Sequence, residues 1–188
     1  MSTDSTDPNA APDDLDAPTE QRIAAAVARW GEREVVDRSV ALIGGLSAGD
    51  EFLLAVGGRH AEGVLKGAPV LYWPELWGTR ALLYVWDDSA ADAVGVALQN
   101  QAWRVREMAA RVVAARNLPV ATALAELLTD DVARVRAAAA RALGAVGSVS
   151  DEAGIRQLLR DKDVDVRRAA GQGLEALSSR SWSRSPGR

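Results

Sequence analysis

His60 is the only histidine in the chain, and there is no cysteine. That removes disulfides, thiolate metal sites and cysteine nucleophiles. A histidine-based metal centre or a Ser-His-Asp triad has one imidazole to build on, and the simpler reading of His60 is a surface or loop residue. Gly58 and Gly63 open like a phosphate-binding loop, but Val64 and Leu65 stand where Lys and Ser/Thr must follow. Asp161, Asp163 and Asp165 begin like a calcium loop, yet Val166 takes the glycine position and Gln172 that of the bidentate glutamate. The carboxylate pairs Asp87/Asp88 and Asp130/Asp131 have the composition for acid–base work. Each stands at a helix start, where capping and complementing the helix dipole is the commoner task. These residues point to no catalytic site and to no cofactor or metal. What remains is arginine and aromatic chemistry, which belongs to binding.

The elements that would position those side chains come from an internal repeat. QAWRVREMAARVV at 101–113 recurs as VARVRAAAARAL at 132–143 and as VDVRRAAGQGL at 164–174. Val105, Val135 and Val166 are 30 and 31 positions apart, and Arg106, Arg136 and Arg167 follow with the same offsets, as do Val113, Leu143 and Leu174. Leu98, Leu128 and Leu159 stand seven residues before the valines, and Asn100, Asp130 and Asp161 stand six before the arginines. Within a copy, Val135, Ala138, Ala139, Ala142, Leu143 and Val146 recur at spacings of three and four, which marks one buried helical face. A shorter amphipathic segment precedes each such helix, as in 122–128 and 152–159. A helix pair of this length cannot bury its apolar side alone, so the copies must stack. The expected fold class is all-α: an α-solenoid of helix pairs with a degenerate helical N-terminal cap.

The turn aspartate, the Val-Arg six residues later and the alanines after it resemble the HEAT repeat, in the short form named after the phycobilisome lyase HEAT-like proteins. The resemblance covers 89–177. It implies a ladder in which the turn acid and the helix arginine bond between neighbouring repeats, which gives Asn100, Arg106, Asp130, Arg136, Asp161 and Arg167 a structural role. Asn100 departs from the pattern, so its rung would lack charge. Gly171 and Gly173 replace alanines in the last copy. Glycine in a helix interior costs about 1 kcal/mol relative to alanine, so the last helix is expected to be the least stable. The resemblance further implies that the second helix of each pair lines a concave face. It also carries two enzymatic precedents, bilin attachment and DNA alkylpurine excision, so a lyase-type or DNA-glycosylase-type enzyme is the alternative to a non-catalytic adaptor. A glycosylase of that kind spreads aromatics over its groove around a catalytic aspartate. Here the aromatics cluster in sequence, and no aspartate stands apart.

Once the core columns are assigned, Arg104, Arg111, Arg134 and Arg141 are left on the open side of two adjacent helices. They are expected to form a basic stripe for another protein, with an acidic segment as its ligand. The bland alternative is a set of solvated arginines, partly paired with Glu107, since surface pairs are weak. The second candidate is the run LYWPELWGTRALLYVW, with Tyr72, Trp73, Trp77, Tyr84 and Trp86. Such rings supply core area in most folds. If any serve a partner, Trp73 and Trp77 beside Pro74 are the expected pair.

The formal charge of −4 hides a polarity. Residues 1–20 hold six acids and no base; 21–100 hold 7 bases and 10 acids; 101–188 hold 15 bases and 10 acids, a net of +5. So modest a surplus, beside an acidic tail, argues against nucleic acid as the partner. The acidic start lacks a signal peptide's basic region, and no run of 18 apolar residues exists, so no membrane span and a cytoplasmic location are expected. The chain is expected to divide into a disordered acidic tail at 1–18 and a disordered basic Ser/Arg tail at 178–188 by composition, with a helical N-terminal region of degenerate repeats at 19–88 and, by the resemblance, three HEAT-like repeats at 89–177. The acidic tail, with Asp4, Asp7, Asp13, Asp14 and Asp16, is a candidate to occupy the arginine stripe itself.

Overall fold

The structure, a computed structural model, describes residues 14–183, and every regular element among them is a helix. The described residues group into two units, the first ending at Ala93 and the second beginning at Val94, where composition suggests a division at 88/89.

In the first unit, α1 (Thr19–Trp30) and α2 (Glu32–Ile43) are separated by Gly31, and the glycine-bounded helices α3 (Asp50–Gly57) and α4 (Arg59–Leu65) follow, then α5 (Trp73–Ala81). Ile23, Val35, Val36, Ser39 and Ile43 are buried, as are Phe52, Val56 and Trp77, where α1 packs on α2 and α3, and α5 on the same two helices. Ser39 satisfies its hydroxyl by donating to Val35 O at 2.8 Å. A helix is expected over 75–86, with Pro74 at its first turn, but α5 stops at Ala81. A turn at 82–85 instead buries Leu82 and Val85.

Residues 14–18 belong to this unit rather than to a free tail. Asp14 Oδ1 accepts from the amides of Asp16 and Ala17, Asp16 pairs with Arg59, and the Arg59 amide donates to Leu15 O. The buried Arg22 donates to Ala17 O and to Ala55 O, so it ties this turn to the end of α3. Gly58 is needed at the junction: its φ is +60°, and a Cβ there would stand 2.7 Å from Leu15 O. Asp14 and Asp16 are therefore engaged within the first unit; Asp4, Asp7 and Asp13 lie outside the described residues.

The Asp87 carboxylate caps the next turn by accepting from the Ser89 amide at 2.9 Å, and hydrogen bonding from the Ser89 side chain first and this amide second holds its pKa below the usual carboxylate range. The chain then runs through α6 (Ala91–Ala97), α7 (Trp103–Arg116), α8 (Ala121–Glu126), α9 (Ala133–Val146), α10 (Glu152–Gln157) and α11 (Val164–Ser183). In the second unit α7 packs on α9 and α9 on α11, so the middle helix is covered on both sides and buries Val135, Ala138, Ala139, Ala140, Ala142 and Leu143. Alanine at so many of these positions lets the backbones approach closely. α9 and α11 meet at Gly144 and Gly173: a Cβ on Gly144 would lie 2.6 Å from the Cα of Gly173, and one on Gly173 would collide with the Ala140 carbonyl. Gly173 is thus a packing requirement as well as a helix-weakening residue. Gly171 has open space around it and weakens α11 with no such return.

The last helix runs on to Ser183, beyond the boundary at 177 where composition suggests a tail. Arg180 gives the reason: its guanidinium donates to Gly144 O and Gly147 O, carbonyls that end α9 without intrahelical partners. Residues 184–188 lie outside the described part.

Candidate partner-binding face

The short helices α8 and α10 each tighten into a single 3-10 turn before an aspartate in extended backbone. That tightening buries Leu127, Leu128 and Leu158 and leaves the acid at the turn. Asn100 Oδ1 accepts from the Ala102 amide, Asp130 Oδ1 from Val132, and Asp161 Oδ1 from Asp163, at 2.8–2.9 Å. The second carboxylate oxygen is then free to look back along the stack. Arg106 meets Asp130 at 2.8 and 3.1 Å, and Arg136 meets Asp161 at 2.8 and 2.9 Å, both as two-pronged pairs. Each arginine also ties its own preceding turn: Nη1 of Arg106 donates to the carbonyls of Asn100 and Gln101, that of Arg136 to those of Asp130 and Asp131, and that of Arg167 to those of Asp161 and Lys162. The bond from Arg136 holds Asp161 below the usual carboxylate range and raises the arginine in return. Asp163 caps α11 by accepting from the amides of Asp165 and Val166, and Asp165 pairs with Arg168, so the three acids of the apparent calcium loop are all engaged within the repeat.

This ladder fixes the register of the helices and with it which residues of α7 and α9 point outward. Arg104, Arg111, Arg134 and Arg141 are all exposed. Two contacts show that their columns lie side by side: Arg134 of α9 donates to Glu107 of α7 at 3.0 Å, and Arg141 of α9 donates to Gln172 of α11 at 2.9 Å. The Arg134–Glu107 pair is half of what the bland reading anticipates, and it is wet on the arginine side, with 68% of that side chain exposed. Such a pair holds its geometry loosely. Arg111 has no ion pair or hydrogen bond of its side chain among the described residues.

Sequence reasoning misses Trp103. Its ring lies under the guanidinium of Arg104, 4.3 Å from the centroid, and 5.5 Å from that of Arg134. The ring therefore orients two of the four arginines by cation–π attraction. The signal is present in the repeat alignment, since Trp103 occupies a column filled by Ala133 and Val164 in the other copies, but the denser aromatic run at 72–86 draws attention away from it.

That run lies in the first unit. Trp77 is 3% exposed, which corrects its expected role as an exposed docking residue: its ring packs on Gly57, where a Cβ would approach to 2.6 Å. Trp73 is half-buried, stacks on Trp77 with centroids 6.0 Å apart and touches Tyr72 and His60 on its other side. Trp73 thus extends the core stack, and the exposed His60 lies beside it. The carboxyls whose pKa is displaced, Asp16, Glu62, Asp87 and Asp161, are all displaced downward, first of all by hydrogen bonds they accept.

Residues 91–175 match the family model described as HEAT repeats. Among solved structures, the chain is similar to a crystal structure described as an engineered protein from a structural genomics consortium. The two are 22% identical, with 94% of this chain and 93% of that chain covered and a TM-score of 0.53. At that identity the likeness speaks for the fold alone. No curated protein matches the sequence. The fold is all-α and of the α-solenoid kind, and no helix among the described residues is long and apolar enough to cross a membrane.

Proposed function

We propose that the chain is a non-catalytic adaptor whose second unit receives an acidic segment of another protein on the open face of α7, α9 and α11. The observation that carries this reading is the grouping of Arg104, Arg111, Arg134 and Arg141 on adjacent helices, with Trp103 set between two of them. Trp and Arg are the residue types that dominate binding hot spots, and the planar guanidinium matches a carboxylate two prongs at a time. The rigid helix array below supplies the positioning, so little ordering accompanies binding. HEAT repeats generally serve as protein-interaction scaffolds, which agrees with this use.

The test is capture of partners by the full chain and by an Arg111→Glu/Arg141→Glu variant whose fold has been checked by circular dichroism. Both residues are exposed, so the variant should unfold with an unchanged midpoint. Capture of the specific partner should fall about 10-fold or more, as expected when like charges are set against an acidic ligand. Retention of every partner by the variant would remove the open face as the site.

A further inference from the structure

Each rung of the ladder has a direction. Arg106 and Arg136 use Nη1 on the carbonyls of the turn before their own helix and turn Nε and Nη2 forward, to the aspartate of the next repeat. Arg167 reproduces the first half of this arrangement, with Nη1 donating to Asp161 O at 2.8 Å and to Lys162 O at 3.2 Å. Its forward side meets no carboxylate among the described residues.

The apolar columns break off at the same edge. Leu98 and Leu128 are 0% and 6% exposed, whereas their counterpart Leu159 is 40% exposed. Val164, in the column of Trp103 and Ala133, is 56% exposed. Leu159 lines a groove with Val149, Arg156 and Arg160. Where α7 and α9 stop after 14 residues and turn into the next helix pair, α11 continues for 20. The edge carries Arg156, Arg160, Lys162 and Arg167, and its acids Glu152, Asp161, Asp163 and Asp165 are engaged by Arg156, Arg136, the amides that start α11 and Arg168. A second copy stacked as the next repeat would offer the neutral Asn100 at the turn position that completes a rung, and one stacked edge to edge would offer this same edge, whose acids are already engaged. Neither supplies the missing acceptor.

We infer that the α10–α11 edge docks a helical hairpin of a partner protein, one whose inter-helix turn presents an aspartate or glutamate to Arg167 beside an apolar residue that covers Leu159. The two closed rungs are the template: the same arginine atoms, the same turn carbonyls and the same leucine column, lacking only the acid and the next apolar face. This edge is separate from the open arginine face and does not depend on it.

The probe is a stapled peptide of residues 118–147 of this chain, whose Asp130 turn is what Arg106 holds, shown to be helical by circular dichroism before use. Its affinity for the full chain is read by fluorescence anisotropy. The peptide should bind, and binding should weaken by about 10-fold or more, the equivalent of one charge-assisted contact, when Asp130→Asn is made in the peptide or Arg167→Gln in the chain. Leu159→Glu, a second exposed substitution, should weaken it likewise, and Arg111→Glu/Arg141→Glu should leave it unchanged. Absence of binding, equal binding of the Asp130→Asn peptide, or loss of binding only in the Arg111/Arg141 variant would each overturn the proposal.

Discussion

Among single residues, the most consequential are Arg136 and Asp161, whose side chains are 8% and 9% exposed. Removing one partner of a buried pair strands the other charge. Arg136 keeps its bonds to the carbonyls of Asp130 and Asp131, so Asp161→Asn should cost about 2 kcal/mol, less than for a fully dry pair. Loss of the exposed pair of Arg33 and Asp37 should leave the urea midpoint in place. The pH dependence has a definite sign. Asp161 has a folded pKa depressed below the unfolded value of about 3.9, so its contribution is present above that value and is lost as pH falls through the folded pKa. Urea titrations between pH 5 and 2 should show wild type losing stability in acid and Asp161→Asn losing less of it. A parallel fall in both proteins would contradict the rung. In the first unit, Gly57→Ala should destabilise through Trp77, whose ring leaves no room for a methyl group. Residue-level legibility differed between these sites. The partners of the ladder can be read from columns because a repeat fixes their offsets. Trp103 and the buried state of Trp77 depend on which rings meet other helices, and spacing along the chain does not report that.

For the elements, the helices of the second unit were legible because an apolar face recurring at three and four residues has one stable solution once copies stack. Their ends were less so. The end of α11 is set by Arg180 reaching carbonyls 33 and 36 positions earlier, and the end of α5 by burial of Leu82 and Val85 in a turn. Both are tertiary effects that override local pattern. The two glycines of α11 show the same division. Gly171→Ala should stabilise the protein by about 0.5–1 kcal/mol, because the site is an open helix interior. Gly173→Ala should destabilise it by about 1–3 kcal/mol, because a Cβ there collides with the Ala140 carbonyl and must push α11 from α9. Urea midpoints of the two variants should move in opposite directions, and a shift in the same direction would show that the helix crossing is not set at Gly144 and Gly173.

In the whole molecule, charge and structure divide together: residues 21–100 carry 7 bases and 10 acids, while 101–188 carry 15 bases and 10 acids. The acids of the second unit are largely consumed in turns, caps and ladder rungs, as Asp130, Asp161, Asp163 and Asp165 show. Arg106 and Arg136 are consumed with them, whereas Arg104, Arg111, Arg134 and Arg141 are exposed. The proposed role of the second unit turns on where a partner sits. The direct measurement is arginine footprinting with a dicarbonyl reagent and mass spectrometry, on the full chain alone and bound to its captured partner. Arg104, Arg111, Arg134 and Arg141 should lose reactivity together in the complex, while the exposed Arg33 and Arg59 of the first unit keep theirs. If the four stay as reactive as in the free chain while the partner remains bound, the open face is not the site.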